Sequence, residues 1–333
     1  MKKYLILACT CLLSIEVLSQ NDTTKSDKGV FFANINAFFS NDINNNSNPK
    51  ALFGVSSSIL GYKKSFSNKV NATIMYDVTR TTNFVFPDSI GISSYFEGSK
   101  YTAYLKMAEI GWQITPWAEF CFGQLLNEQF LTVQDKFWGL RYINTTMQEY
   151  FRFGNPADFG ARIKFKPLNN LSLNFSVVNG EGPFRYQDPN SLFQYSLNIE
   201  YKYNKNLIFK VYGDLQPPAP NLSKNRSAIS LFGCYKNEKW TIGTEYDIVL
   251  NNQFTGNSDL KAISLFSSYK ALNKTTIFAR ADYFLQYAHV KNESFVLAGI
   301  EYRPVSSLGL AVSVKRNTWL NTFIPGFHLG MRF

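Results

Sequence analysis

Apolar and polar side chains alternate one by one over long stretches of this chain. Val70, Ala72, Ile74, Tyr76 and Val78 are interleaved with Asn71, Thr73, Met75, Asp77 and Thr79. Phe193, Tyr195, Leu197, Ile199, Tyr201 and Tyr203 are interleaved with Gln194, Ser196, Asn198, Glu200 and Lys202. Leu308, Leu310, Val312 and Val314 are interleaved with Gly309, Ala311, Ser313 and Lys315. A period of two puts successive side chains on opposite faces of a strand, whereas a helical period would mix the two sets. Applied along the chain, this rule predicts sixteen strands, the first at 29–40 and the last at 323–333. The second (51–64) and fourth (101–114) are the least regular, and the fourth loses its phase near Glu109, as at a bulge.

The connections sort by length. They are short after even-numbered strands, as at Thr115-Pro116, and longer after most odd-numbered ones, as at 81–100 and 179–192. A soluble sandwich has no reason to sort its loops, whereas a transmembrane barrel sets short periplasmic turns opposite longer external loops. An even strand number then brings both ends of the barrel to the periplasmic side. Tyr62, Phe165, Tyr201, Tyr203, Tyr235, Trp240, Tyr269, Tyr302 and Phe333 gather at the short-turn end. Aromatic rings with a polar tip suit the lipid–water interface there. On the last strand Phe327, Leu329, Met331 and Phe333 share one face, and His328, Gly330 and Arg332 share the other. This aromatic-ended pattern resembles the closing strand of bacterial outer-membrane barrels. Its partner is the first strand, with Phe31, Ala33, Ile35, Ala37 and Phe39 on the outer face. The expected fold is all-β: a transmembrane antiparallel β-barrel of about sixteen strands.

The start of the chain predicts the same compartment. Lys2 and Lys3 precede an apolar run from Tyr4 to Leu13, and Val17-Leu18-Ser19 offers a cleavage site before Gln20. This reads as a signal peptide over 1–19, followed by a short periplasmic segment over 20–28 and the barrel over 29–333. A lipoprotein signal using Cys9 or Cys11 is the alternative, with a very short apolar region. Beyond the signal no apolar run reaches the roughly 18 residues of a helical span. Hydrophobic residues at 45% and aromatics at 16% coexist with a slightly negative mean hydropathy. Lipid-facing and lumen-facing residues alternating along each strand give that mixture. Cys121 and Cys234 read as unpaired wall residues, although one disulfide is formally open to them. The net charge of +10 favours anions or an acidic surface. The basic residues are dispersed among acidic ones, which argues against nucleic acid.

Catalytic signatures are sparse. His289 falls in an external loop and His328 on the polar face of the last strand, with no evident Ser–His–Asp set around either. No spacing calls for a metal or another cofactor. The informative residues face the lumen. The inward basic residues are Lys106, Arg162, Lys164, Lys166, Lys202, Lys210, Lys236, Lys270, Arg280, Arg303, Lys315 and Arg332. The inward acids are Asp77, Glu119, Asp158, Glu200, Asp214, Glu245, Asp247, Asp282 and Glu301. A wall this charged needs water, since a lipid-facing Lys or Arg at the midplane costs about 2–4 kcal/mol. A barrel of this size is wide enough for an aqueous channel, and charge rings in a channel set ion preference. Alternatively, the lumen charges only pair with one another. Arg162, Lys164 and Lys166 form a basic row on one strand, expected to bias the pore toward anions.

The longest connection, Leu125 to Pro156, follows strand five. It holds Lys136, Arg141 and Arg152 and the aromatics Phe130, Phe137, Trp138, Tyr142, Tyr150, Phe151 and Phe153. Such a loop is expected to enter the barrel and constrict it, or else to cover the barrel or contact another subunit. The stretches Phe120-Cys-Phe-Gly-Gln124, Phe153-Gly-Asn-Pro-Ala-Asp-Phe-Gly-Ala161 and Ser176-Val-Val-Asn-Gly-Glu-Gly182 resemble the phosphate-selective porin O and P family, in the form found in Bacteroidetes. The resemblance covers about residues 100–205. It implies a sixteen-stranded, trimeric porin with a constriction loop, embedded in outer-membrane lipid and passing small solutes or anions. The long loop is charge-balanced and inward arginines are few, so the resemblance does not specify phosphate. The expected function is passive diffusion of small hydrophilic solutes with an anion preference and no enzymatic activity. The alternatives are a non-conducting barrel that partners a cell-surface system, or an outer-membrane hydrolase.

Overall fold

In a computed structural model, which describes residues 29–47, 49–80, 101–185, 187, 189–286 and 291–333, the chain closes into one antiparallel barrel. The proposed leader, the loop 81–100 and His289 lie outside the described residues. The strands are β1 (Val30–Asn41), β2 in two segments (Ala51–Val55 and Ser58–Ser65), β3 (Val70–Arg80), β4 (Tyr101–Thr115) and β5 (Ala118–Leu126). After a long connection come β6 (Ala157–Leu168), β7 (Leu171–Val178), β8 (Gln194–Lys202), β9 (Leu207–Gln216) and β10 (Arg226–Lys236). The wall ends with β11 (Trp240–Leu250), β12 (Leu260–Leu272), β13 (Thr275–Gln286), β14 (Lys291–Val305), β15 (Leu308–Asn317) and β16 (Thr322–Arg332). Each strand pairs with its sequence neighbours, and β16 closes on β1 from Asn34 opposite Arg332 to Ser40 opposite Gly326.

The irregular strands have local causes. β1 pairs with both halves of β2, Ala37 opposite Val55 and Asn34 opposite Ile59, a one-residue slip across the break. At the break Ser57 turns its hydroxyl onto Asp77 (2.7 Å), and its carbonyl accepts from Asn36 Nδ2 (2.5 Å). β4 bulges at Lys106: Met75 faces Met107, while Tyr76 faces Leu105. The extra residue brings both Lys106 and Glu109 to the inside, three positions apart, which accounts for the lost phase.

The outer wall is exposed and apolar, with Phe209, Val211, Leu231, Ile242, Leu265, Ile300, Val312 and Phe327 among its residues. Trp240 packs on Tyr269 (4.4 Å between ring centres) and Trp117 stacks on Phe165 (6.1 Å) at the short-turn rim. At the other rim Asp42 follows β1 and accepts backbone N–H bonds from Asn44, Asn46, Ser47 and Phe323 at 2.8–3.2 Å. Burial acts to raise the Asp42 pKa, but these bonds outweigh it and hold the carboxyl below its ordinary value. The tie is therefore intact above the ordinary carboxylate pKa and is lost as pH falls through the lowered one.

Candidate functional site

The connection from β5 to β6 enters the barrel. It forms a short helix α1 (Glu128–Leu131), a π-helical turn over Thr132–Trp138 and a second short helix α2 (Met147–Tyr150). Val133, Trp138, Leu140, Tyr142 and Ile143 are buried against inward residues of β9 to β15: Ile208, Phe232, Cys234, Phe266, Phe278, Phe295, Leu297 and Ala311. Met147 and Phe153 pack with Ala228, Val249, Leu260, Ala262 and Phe284. Phe151 stacks on Phe284 at 4.5 Å, and Trp138 meets Phe266 edge-on at 5.6 Å. Water is the alternative occupant of the lumen, so this burial draws on the ordinary hydrophobic effect, about 1.5–3 kcal/mol for each large side chain fully buried.

Basic side chains of the wall hold the loop by its backbone. Lys210 Nζ donates to the carbonyls of Glu128 (2.8 Å) and Gln129, and the Arg226 guanidinium to Phe153 (2.8 Å). Lys236 donates to the carbonyl of Lys136 (3.1 Å), Arg280 to Thr145 (2.6 Å) and Lys315 to Ile143 (2.7 Å). Arg280 also lies over the Trp138 ring at 5.1 Å. Side chains add Gln148 Nε2 to Asp247 (3.0 Å), Tyr142 OH to Glu301 (2.9 Å), Lys136 to Glu200 (2.8 Å) and Thr132 to Glu200. The sequence phase placed Lys210 and Arg280 on the inner wall, and there they are. They lie beneath the loop at 2% and 3% exposure, however, and so do not line open space.

The predicted basic row also changes character. Arg162 pairs with Glu109 (2.5 Å) and Glu128 (2.8 Å), and Lys164 with Glu119 (3.3 Å) and Glu109 (3.7 Å). Acids from two neighbouring strands and from the loop thus neutralise this row, leaving Lys166 at the rim. Lys106 pairs with Asp77 (2.5 Å), Arg303 with Glu301 (2.8 Å) and Arg141 with Glu149. Arg152, at a positive φ of 58°, turns the chain out of α2 with its side chain exposed.

The motifs behind the family resemblance build the neck of the loop. Gly123 sits at φ 124°, where a Cβ would strike the Ala108 carbonyl, so glycine lets β5 kink and bring both Cys121 and Gln124 inside. Asn127 N–H donates to the Pro156 carbonyl (2.9 Å) and Asn127 Nδ2 to that of Asn155 (3.1 Å). Asp158 accepts from the N–H groups of Phe159 (2.7 Å), Gly180 (2.6 Å) and Gly182 (3.0 Å), fastening the Val-Asn-Gly-Glu-Gly stretch to the neck. Asp158→Ala leaves three backbone donors without their acceptor, typically about 1–3 kcal/mol for a buried group. The barrel should stay folded, while limited proteolysis within 179–192 accelerates and single-channel current becomes noisier.

A cavity of about 340 Å³ runs beside the loop on the side of β1–β4 and β14–β16. Asn127 and Pro156 of the neck line one end, and Ser306 and Ser307 of the β14–β15 turn line the other. Its charged lining residues are Lys106, Arg141, Arg303 and Arg332, and none is acidic. The short-turn rim is basic as well. The backbone N–H groups of Lys166, Lys202, Lys236, Lys270, Arg303 and Arg332 each donate to a residue of the preceding hairpin, so they occupy equivalent register positions. Lys63 takes the corresponding place on β2. Every even-numbered strand except β4, which has Gln113, thus ends in an inward-phased basic residue. Among the described residues Lys63, Lys166, Lys202, Lys270 and Arg332 make no ion pair.

His328 is buried, with Nε2 2.9 Å from the Ser313 hydroxyl and no partner on Nδ1, so no carboxylate orients the ring. Cys121 and Cys234 are both free and buried. Among the described residues no His, Cys, Asp and Glu cluster is arranged to hold a metal.

Solved structures share this architecture. The outer membrane channel DcaP of Acinetobacter baumannii superposes with a TM-score of 0.67 at 12% identity, over 93% of this chain and 99% of that one. An anion-selective porin from Comamonas acidovorans gives 0.66 at 11% identity, over 92% and 99%. The trimer form of OmpT, an outer membrane protein of Vibrio cholerae, gives 0.62 at 13% identity, over 93% and 99%. No curated protein sequence matches the chain. The fold is thus a closed sixteen-stranded barrel of the bacterial outer membrane, β2 being one strand in two segments. Residues 147–321 match the family model described as "Putative beta-barrel porin-2, OmpL-like". That match spans more than half the chain, from α2 of the loop to the turn before β16, and the protein belongs to this family of outer-membrane porins.

Proposed function

We propose that this porin is a passive diffusion channel for small hydrophilic solutes with a preference for anions, working as a homotrimer and without enzymatic activity. The observation that carries the preference is the cavity beside the loop, whose charged lining residues are all basic. Lys106, Arg141 and Arg303 hold their carboxylate partners outside that lining, and Arg332 has none among the described residues. The basic rim adds to the same field. The likeness to phosphate-selective porins O and P, and the fold shared with an anion-selective porin, support the same sign. The oriented His of a hydrolytic triad has no counterpart at His328. Reversal potentials of the purified chain in planar bilayers under a potassium chloride gradient test the proposal. Anion selectivity is expected, and a cation-selective or silent barrel would overturn it.

A further inference from the structure

The lining of this cavity is mixed. Ile59, Met75, Leu126, Phe130 and Leu131 are apolar, and Phe130 and Leu131 belong to the loop. Among them stand Lys106, Arg141, Arg303 and Arg332 and the amides of Asn34 and Asn36, with Asn34 directly opposite Ile59 across β1 and β2. A channel tuned to inorganic ions gains nothing from the apolar part, because a fully hydrated ion is not stabilised by apolar surface. The charge of the lining is also smaller than the number of its cations. Asp77, Glu149 and Glu301 each neutralise one of them, and among the described residues the remaining uncompensated cation is Arg332. A doubly charged ligand would carry one charge with no counterpart. The volume, about 340 Å³, lies at the low end of small-molecule sites, roughly 300–1,000 Å³.

We infer that the cavity is a selective subsite for small organic monocarboxylates, the carboxylate meeting Arg332 and the apolar body lying along Phe130 and its neighbours. A planar guanidinium pairs with a carboxylate through two parallel hydrogen bonds, which suits it to this headgroup. This inference rests on the anion-channel reading, and one experiment separates the two.

Block of chloride current is measured with acetate, propionate, butyrate and inorganic phosphate on the unmodified protein. The half-blocking concentration should fall by up to about fourfold for each added methylene, the factor for burying one CH₂. Phosphate should block more weakly than butyrate. Arg332→Gln should raise the half-blocking concentration of all three carboxylates by about tenfold, as loss of a charge-assisted hydrogen bond implies. Phe130→Asn should flatten the chain-length series. An anion-selective channel with a flat series on the unmodified protein, or one that phosphate blocks as well as butyrate does, overturns the subsite and leaves the channel reading standing. A cation-selective or silent barrel removes both.

Discussion

Replacing residues 128–154 with a short glycine linker should raise single-channel conductance several-fold, toward that of an unobstructed sixteen-stranded barrel. The neck makes the excision feasible: Asn127 and Pro156 are already hydrogen-bonded at 2.9 Å, so a tight connection replaces the loop without moving β5 or β6. The loop packs against the inner wall from β9 to β15, and the cavity beside it is about 340 Å³. A barrel of this strand number otherwise encloses an aqueous channel. The loop is not a loose flap. With about 1.5–3 kcal/mol for each of Val133, Trp138, Leu140 and Ile143, its apolar contacts far exceed thermal energy before the wall lysines and arginines are counted. Conduction therefore runs beside a docked loop, and the unmodified protein should show small, quiet unitary currents. Removing the loop also exposes Phe232, Phe266, Phe278 and Phe295 to water, so the enlarged barrel should melt earlier. Unchanged conductance in planar bilayers would count against a loop seated in the lumen.

Those aromatics mark what could and could not be read from the chain. The period of two fixes which face a side chain takes, and the inward assignments of Lys106, Arg162, Lys210, Arg280 and Glu301 agree with their burial or their ion pairs. It does not say what covers that face. Phase alone treats Lys210 and Lys166 alike, yet Lys210 lies under the loop and Lys166 at the mouth. A signal was present. Phe232, Phe266, Phe278, Phe284 and Phe295 sit in the inward phase of strands whose outward phase is also apolar, and an open aqueous pore would leave them in water. Two apolar faces on one strand mean that something folds over the inner one. The neutralised row was harder to foresee. Arg162 meets Glu109 across 53 positions of sequence, and only the bulge at Lys106 turns that glutamate inward. The motifs that resemble those of the porin O and P family were visible as strings. Their role in fastening the loop neck became apparent only when Asp158 met Gly180 and Gly182.

Neutralising the basic rim should cost the channel part of its anion preference at low salt and very little at high salt. The variant carries Lys63→Gln, Lys166→Gln, Lys202→Gln and Lys270→Gln, four rim residues without ion pairs among the described residues. Lys236 is left in place because it also holds the Lys136 carbonyl. Strands lie about 4.8 Å apart and tilt by roughly 35–45°, so basic residues on alternate strands are spaced by roughly 12–14 Å. That spacing is close to the Debye length at 0.1 M salt, about 10 Å, and several times the roughly 3 Å length at 1 M. At 0.1 M the separate charges merge into one positive field across the periplasmic mouth, and at 1 M each is screened from the next. The ring sits at one mouth of the channel, so the current–voltage curve of the unmodified protein should be asymmetric at 0.1 M and nearly symmetric at 1 M. In the variant the asymmetry should vanish at both concentrations, and the reversal potential in a 0.1 M to 0.01 M gradient should move toward zero. Because the substituted side chains are exposed and outside any ion pair, the barrel should fold as before, with its melting temperature almost unchanged. A variant that keeps its selectivity and its asymmetry at 0.1 M would place the controlling charges deeper, at Lys106, Arg141, Arg303 and Arg332 along the cavity.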